Sequence, residues 1–239
     1  MKSRFALLLL LLSPLFAHAA TPVAGVDYVE IPNGKPFAPL NGKVEVVEVF
    51  GYTCIHCAHF QPQVAAWKRK QPAHVRFTPV PAAFGGFWMP YARAYYAAEK
   101  LGVLGKTHDV MFKALHEQGS MPIQNASNQE IAAFYAKYGA NPKVFADTMD
   151  SPWVEAQLQR SRQFAMDAEI EGTPTMVVNG KYRVTASTFD DALRITDWLV
   201  ARERGRAGWY GHFELRIARV ERAYGWDAGD GGGRTGAPA

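Results

Sequence analysis

Cysteine is nearly absent: the 239-residue chain contains two, Cys54 and Cys57. A small scaffold stapled by several disulfides is therefore excluded. A structural bridge between these two explains little either, because a ring closed over so few residues removes little entropy from the unfolded chain. Long apolar runs are scarce as well. The longest, Phe5 to Leu12, holds eight residues, well short of the ~20 that a membrane-spanning helix needs. A basic stripe interleaved with aromatics is also missing. The net charge of +4 comes from scattered residues, and in the last 38 positions seven Arg are mixed with five acids. Nucleic acid is accordingly not an expected partner, and the high isoelectric point reads as a solubility property.

What is present begins with a leader. Lys2 and Arg4 flank the apolar run, and Ala17-His18-Ala19 gives the small-residue pattern of a cleavage site, so residues 1–19 read as a secretory signal peptide. The expected product is an exported, soluble protein starting near Ala20. No cysteine stands directly after the cleavage pattern, so a lipid anchor attached there through one is not expected. The remaining residues hold ample apolar and aromatic content for a proper core.

Val26 to Ile31 and Lys43 to Phe50 carry strand patterns, the second rich in Val and bounded by Asn41-Gly42 and Gly51. From Cys54 onward, Phe60, Val64 and Trp67 recur at helical spacing. The cysteine pair thus falls in the first turn of a helix just past a strand. Pro62 lies inside that helix and predicts a kink. Val75 to Val80 reads as a third strand, completing a strand, helix, strand unit. Helices are then predicted over Tyr91 to Leu101, His108 to Gln118, Asn128 to Tyr138 and Pro152 to Ile170. Strand signals return at Thr175 to Val178 and Lys181 to Val184, joined by the turn pair Asn179-Gly180. A last amphipathic helix covers about Thr188 to Arg202. The expected fold class is α/β: a mixed sheet within residues 20–204, carrying a helical subdomain inserted at about 84–170. Residues 205–239 are expected to form a C-terminal extension, with Phe213, Ile217, Val220 and Tyr224 on one helical stripe before a Gly-rich, disordered tail.

A dithiol becomes catalytic when one sulfur is exposed and anionic near neutral pH while the other waits to resolve the mixed disulfide. Cys54, at the head of a helix, sits where unpaired backbone N–H groups and the positive end of the dipole favour an anion. Cys57 lies one turn on and deeper. His56, between them, can supply a hydrogen bond or positive charge to the Cys54 thiolate. Cys54 is therefore assigned as nucleophile, Cys57 as resolver and His56 as stabiliser. Glu48 shares a strand face with Val44, Val46 and Phe50, so its carboxyl is expected among apolar groups, placed to accept or relay the Cys57 proton. A tolerated polar residue on a partly wet strand is the alternative. Gly172-Thr173-Pro174-Thr175 enters the hairpin, where proline fits only at a strand's first residue. A cis bond and an ordinary loop proline are both open there.

Taken together, FGYTCIHC after a Val-rich strand, a helical insertion, GTPTMVVNGKY and a final amphipathic helix resemble the DsbA family of thioredoxin-fold disulfide oxidoreductases, over about residues 26–203. The resemblance implies a thioredoxin-like sheet, residence in the bacterial periplasm, and donation of the Cys54–Cys57 disulfide to reduced exported polypeptides during oxidative folding. It also implies reoxidation by a DsbB-like membrane oxidase linked to quinone, a cis Thr173–Pro174 bond, and a Thr173 backbone that contacts bound peptide. The positions matching the family's functional residues are Cys54, His56, Cys57, Glu48, Thr173 and Pro174. No cofactor is expected. Two positions depart from the family pattern: Ile55 stands where Pro is usual, and Thr173 where Val is common. Thiols in such motifs span about 7 down to about 3.5, the low end belonging to DsbA itself. A value near ~3.5 favours the reduced pair at pH 7 by roughly 5 kcal/mol, or about 100 mV. That is enough to separate an oxidant from a reductant.

Rival readings follow from the same residues. An isomerase or reductase needs a less oxidising pair, and Thr before the proline is familiar in both; isomerases commonly add a dimerisation module. The short stretch between Ala20 and the sheet leaves no room for an N-terminal one, and the tail after Gly205 is the remaining candidate; a monomer is expected. A metal-binding protein would use Cys54, Cys57 and His59, an incomplete shell. Covalent haem is not expected, because Ala58, not His, follows Cys57. Phe84, Phe87, Trp88 and Tyr91 either flank a peptide groove or belong to the core.

Overall fold

The computed structural model describes residues 20–205; the expected leader at 1–19 and the expected helical stripe from Phe213 to Tyr224 lie outside the described residues. At the centre is a five-stranded sheet ordered β1-β5-β4-β2-β3. Its strands are Tyr28–Glu30 (β1), Val44–Phe50 (β2), Val75–Pro81 (β3), Thr175–Val178 (β4) and Tyr182–Val184 (β5). β2 and β3 run parallel, joined by helix α1, Ile55–Lys70, and the other pairs are antiparallel. All seven residues of β2 are buried, which is why the strand is nearly unbroken valine: both faces of a central strand are covered. β3 takes the edge. Pro79 and Pro81 are tolerated there because a missing N–H on the open side breaks no ladder bond.

Five helices follow β3: Met89–Lys100 (α2), Leu104–His116 (α3), Asn128–Ala136 (α4), Pro142–Met149 (α5) and Pro152–Asp167 (α6). They enclose a core that includes Met111, Ile131, Tyr135, Phe145 and Leu158, and this core also takes in Phe50, Tyr52 and Cys57 from the sheet body. A final helix, α7, covers residues 189–205. Its Ile195 and Leu199 join Phe60 and Val64 of α1 against Val46 and Val178, each such side chain contributing roughly 1.5–3 kcal/mol by leaving water. The Trp67 indole N–H donates to Asp197 Oδ1 at 2.7 Å and ties α1 to α7. On the opposite face, Val47, Val49 and Val177 meet Phe164 and Ala168. The redox motif therefore stands at the seam between the sheet and the inserted helices.

Several boundaries differ from the sequence reading. α3 starts at Leu104 rather than His108, because Thr107 is buried and donates its hydroxyl to the Val103 carbonyl at 3.0 Å. α6 stops at Asp167, and Glu169 beyond it takes φ 51°. α5 has no counterpart in the predicted elements: Asn141 and Pro142 look like a break but serve as its N-cap and first residue, with Asn141 Oδ1 accepting the Val144 N–H at 3.1 Å. Pro62 sits inside α1, which continues through it as one helix.

The hairpin between β4 and β5 forms where the sequence places it. Asn179 and Gly180 adopt φ 51° and 65°, the left-handed pair that a two-residue turn requires. Gly180 also packs tightly, since a Cβ there would lie 1.8 Å from the Lys35 carbonyl oxygen. Gly180→Ala is expected to cost about 2–3 kcal/mol, read as a lower urea midpoint with an unchanged slope. An unmoved midpoint would show that the loop at Lys35 yields freely.

Candidate active site

β2 ends at Phe50, and the chain turns through Gly51, Tyr52 and Thr53 before α1 begins. The Cys54 N–H donates to the Gly51 carbonyl at 3.1 Å, closing the turn. Gly51 is required by a neighbour: a Cβ would meet Trp88 Cζ3 at 1.9 Å. Cys54 is the N-cap of α1, with φ −87° and ψ 116°, and its carbonyl accepts the Ala58 N–H at 3.1 Å. Its side chain makes no capping bond, so the sulfur is left facing the free N–H groups of the first turn.

The two sulfurs occupy unlike surroundings. Cys54 is half-buried, whereas Cys57 is wholly buried and its Sγ accepts the Gly51 N–H at 3.5 Å. Cys54 falls from the ordinary thiol range to about 5. The chief cause is the hydrogen bond from the Cys57 thiol; partial burial opposes it, and the Thr173 side chain with the backbone N–H groups of Cys57 and His56 adds to the lowering. Burial, followed by the hydrogen bond and charge of Cys54, pushes Cys57 well above the ordinary range.

Across the groove, the Thr173–Pro174 bond is cis. In the thiol form Cys54 Sγ donates to the Thr173 carbonyl at 3.4 Å. A groove of about 160 Å³ opens beside this contact, lined by His56, Phe60, Pro174, Met176, Phe189 and Ala192 among others. The His56 ring is exposed at its mouth, and it is the His56 backbone N–H that bears on the Cys54 sulfur. His59 is also exposed, on a side of α1 away from the buried Cys57. Among the described residues, no group of three or more His, Cys, Asp and Glu side chains is placed to hold a metal ion.

Two buried glutamates on β2 show what is unusual here. Glu45 points to one face and is fully partnered: it accepts from Arg76 at 2.8 Å and from the Phe37 and Ala38 N–H groups. Glu48 points to the other, 1% exposed, and its Oε1 has no hydrogen-bond partner among the described residues. Burial, helped by the nearby Cys54 charge, raises its carboxyl to about 8. It is therefore largely a neutral acid at pH 7, beside both sulfurs.

The four aromatics after β3 divide. Tyr91 is in the core and Trp88 covers Gly51, while Phe84 and Phe87 are exposed. Tyr52, His108 and His116, absent from the sequence reading, also meet at the motif: Tyr52 Oη lies 2.8 Å from His108 Nδ1, and His116 Nε2 lies 2.7 Å from the Tyr52 carbonyl. The visible signal for them is a spacing of four, His108, Phe112 and His116, along one helix face.

A carboxyl whose folded pKa is raised binds its proton more tightly folded than unfolded, so the stability cost grows as pH climbs from about 4.5 through about 8. Glu48→Leu is expected to flatten that loss, gaining roughly 3–5 kcal/mol relative to the parent between pH 4 and 9. Parallel denaturation curves for the two proteins across that range would show instead that Glu48 titrates as an exposed acid.

The thioredoxin family matches residues 34–197. The thiol:disulfide interchange protein DsbA of Pseudomonas aeruginosa is 36% identical over 205 residues, covering 83% of this chain and 95% of that protein. That of Azotobacter vinelandii is 38% identical over 183 residues, 75% of this chain and 84% of that protein. Among solved structures, the oxidoreductase DsbA from Xylella fastidiosa is 57% identical, with a TM-score of 0.77 over 78% of this chain and 100% of that one. Shared sequence, shared fold and a cysteine pair at the head of α1 lead to one conclusion: the chain belongs to the DsbA family of thioredoxin-fold proteins.

Proposed function

We propose that the protein is a thiol:disulfide oxidoreductase that donates its Cys54–Cys57 disulfide to reduced exported polypeptides during oxidative folding. The observation that carries this reading is the unequal hold of the two sulfurs on their protons, with Cys54 at about 5 and Cys57 pushed well above an ordinary thiol.

In the bridged form, a client thiolate attacks Cys54 Sγ; the Cys54–Cys57 bond breaks and Cys57 departs, taking a proton. A second client thiolate then attacks the client sulfur bonded to Cys54, and Cys54 leaves as a thiolate that needs no proton. Two electrons pass from the client dithiol to the pair. Of the two client protons, one is balanced on Cys57 and one goes to solvent. Glu48, protonated near neutrality, passes a proton to Cys57 in this scheme and is reprotonated by one of the two that the client releases, so the reduced pair stands beside a neutral carboxyl.

A low pKa makes Cys54 a good leaving group. Measured from pH 7, a thiol at about 5 favours the reduced pair by at most about 3 kcal/mol, or ~60 mV. Solvent at the half-exposed sulfur screens part of that. The bridged form is accordingly the one that reacts. The groove beside the Thr173 carbonyl is proposed to receive the client, with His56 at its mouth. A DsbB-like membrane oxidase linked to quinone is proposed to restore the disulfide, and the periplasm is the proposed setting, in keeping with the leader at 1–19. No helix among the described residues is long and apolar enough to cross a membrane. Thr173 before Pro174 favours one second reading, an isomerase or reductase.

Equilibrated in a mildly oxidising glutathione buffer, the pair is expected to be mostly reduced. The bridged protein should transfer one disulfide per molecule to a reduced exported client. Cys57→Ser should accumulate a mixed disulfide at Cys54, and Cys54→Ser should transfer nothing. A pair that stays bridged in that buffer and repairs scrambled disulfides would assign the protein to the isomerases.

A further inference from the structure

The turn that delivers Cys54 is gripped by a helix distant in sequence. Tyr52 and Thr53 are its two central residues, closed by the Cys54 N–H on the Gly51 carbonyl. In such a turn the peptide between the central residues can flip, and its orientation defines the turn type. That peptide is held. Its carbonyl, on Tyr52, accepts from His116 Nε2 at 2.7 Å, and its N–H, on Thr53, points the opposite way across the trans bond. The Tyr52 ring is fixed as well: it is 2% exposed, packs on Phe112 with centroids 5.0 Å apart, and places its hydroxyl 2.8 Å from His108 Nδ1. Burial keeps the Tyr52 phenol protonated and the His108 imidazole neutral, at about 4. The contact is therefore between two uncharged groups.

We propose that His116 is a positioning residue for the redox pair: by donating Nε2–H to the Tyr52 carbonyl it fixes the central peptide of the Gly51–Cys54 turn and thereby holds the Cys54 sulfur at the head of α1. His108 supports it by anchoring the Tyr52 ring. The inserted helices thus tune the thiol through the turn that carries it. This deepens the proposed function and rests on Cys54 being its nucleophile. A thiolate stabilised by hydrogen bonds and a helix end depends on sub-ångström placement, so a peptide free to flip lets the sulfur drift from those donors.

The test compares His116→Leu, which keeps bulk and removes the donor, with His116→Gln, whose amide N–H reaches a similar point. Cys54 alkylation at pH 5 is expected to slow about two- to sixfold in H116L, a rise in pKa of roughly half to one unit. The equilibrium with glutathione should move by a similar factor toward the bridged form, and H116Q should return both to within about twofold of the parent. An H116L protein that melts earlier yet titrates at Cys54 like the parent would reduce His116 to a scaffold residue and overturn the proposal; so would an H116Q protein as impaired as H116L. If H116L does not fold, the unsubstituted protein decides: nitrogen NMR of the His116 ring should show a protonated, hydrogen-bonded Nε2, and a bare Nε2 refutes the donation. A parent whose Cys54 is inert at pH 5 would remove the dithiol reading itself, and this proposal with it.

Discussion

Two sulfurs three residues apart hold their protons on opposite terms, and the rest of the site follows from that inequality. Cys54 faces the free N–H groups of a helix and the Cys57 thiol, which favour its anion; Cys57 lies in the apolar core, where an anion is penalised. Reduction of the bridge creates this arrangement and bridging destroys it. The energy gained by reduction is therefore built into the first turn of α1, and it disfavours the disulfide.

The fold carries costs to maintain this. On a strand where Glu45 is satisfied by Arg76 and two backbone donors, Glu48 is left buried with an unpartnered oxygen. A residue chosen for stability would be apolar at that position, like Val46 and Phe50 on the same face. In the proposed transfer, a neutral carboxyl next to a leaving group that needs a proton gives the exception a chemical purpose. Gly51 is a second concession, a position emptied of side chain so that Trp88 can lie against the motif.

Much of this was legible in the sequence. A Val-rich run ending at Phe50 followed by a helical stripe from Phe60 places Cys54 at a helix head, and the two-residue period of β2 puts Glu48 on the face toward α1. Asn179-Gly180 announces the hairpin because few other residues adopt its dihedrals without cost. What escaped the reading depends on context. Asn141-Pro142 begins a helix here while the same pair ends structure elsewhere, and only the Val144 N–H on the Asn141 side chain decides between them. The grip of His108 and His116 on Tyr52 spans 56 and 64 residues of chain; helical spacing marks a shared face but cannot name what that face touches. Likewise Phe84, Phe87, Trp88 and Tyr91 are alike as letters, yet the structure sends them to surface, glycine cleft and core.

The direct test of the central claim is the ultraviolet absorbance of the thiolate in the reduced protein, followed as the pH is raised from strongly acidic to alkaline. A single transition near pH 5 that disappears in Cys54→Ser is expected, with Cys57 silent well into the alkaline range. A first transition at an ordinary thiol's ~8.5, or one that survives loss of Cys54, would contradict it.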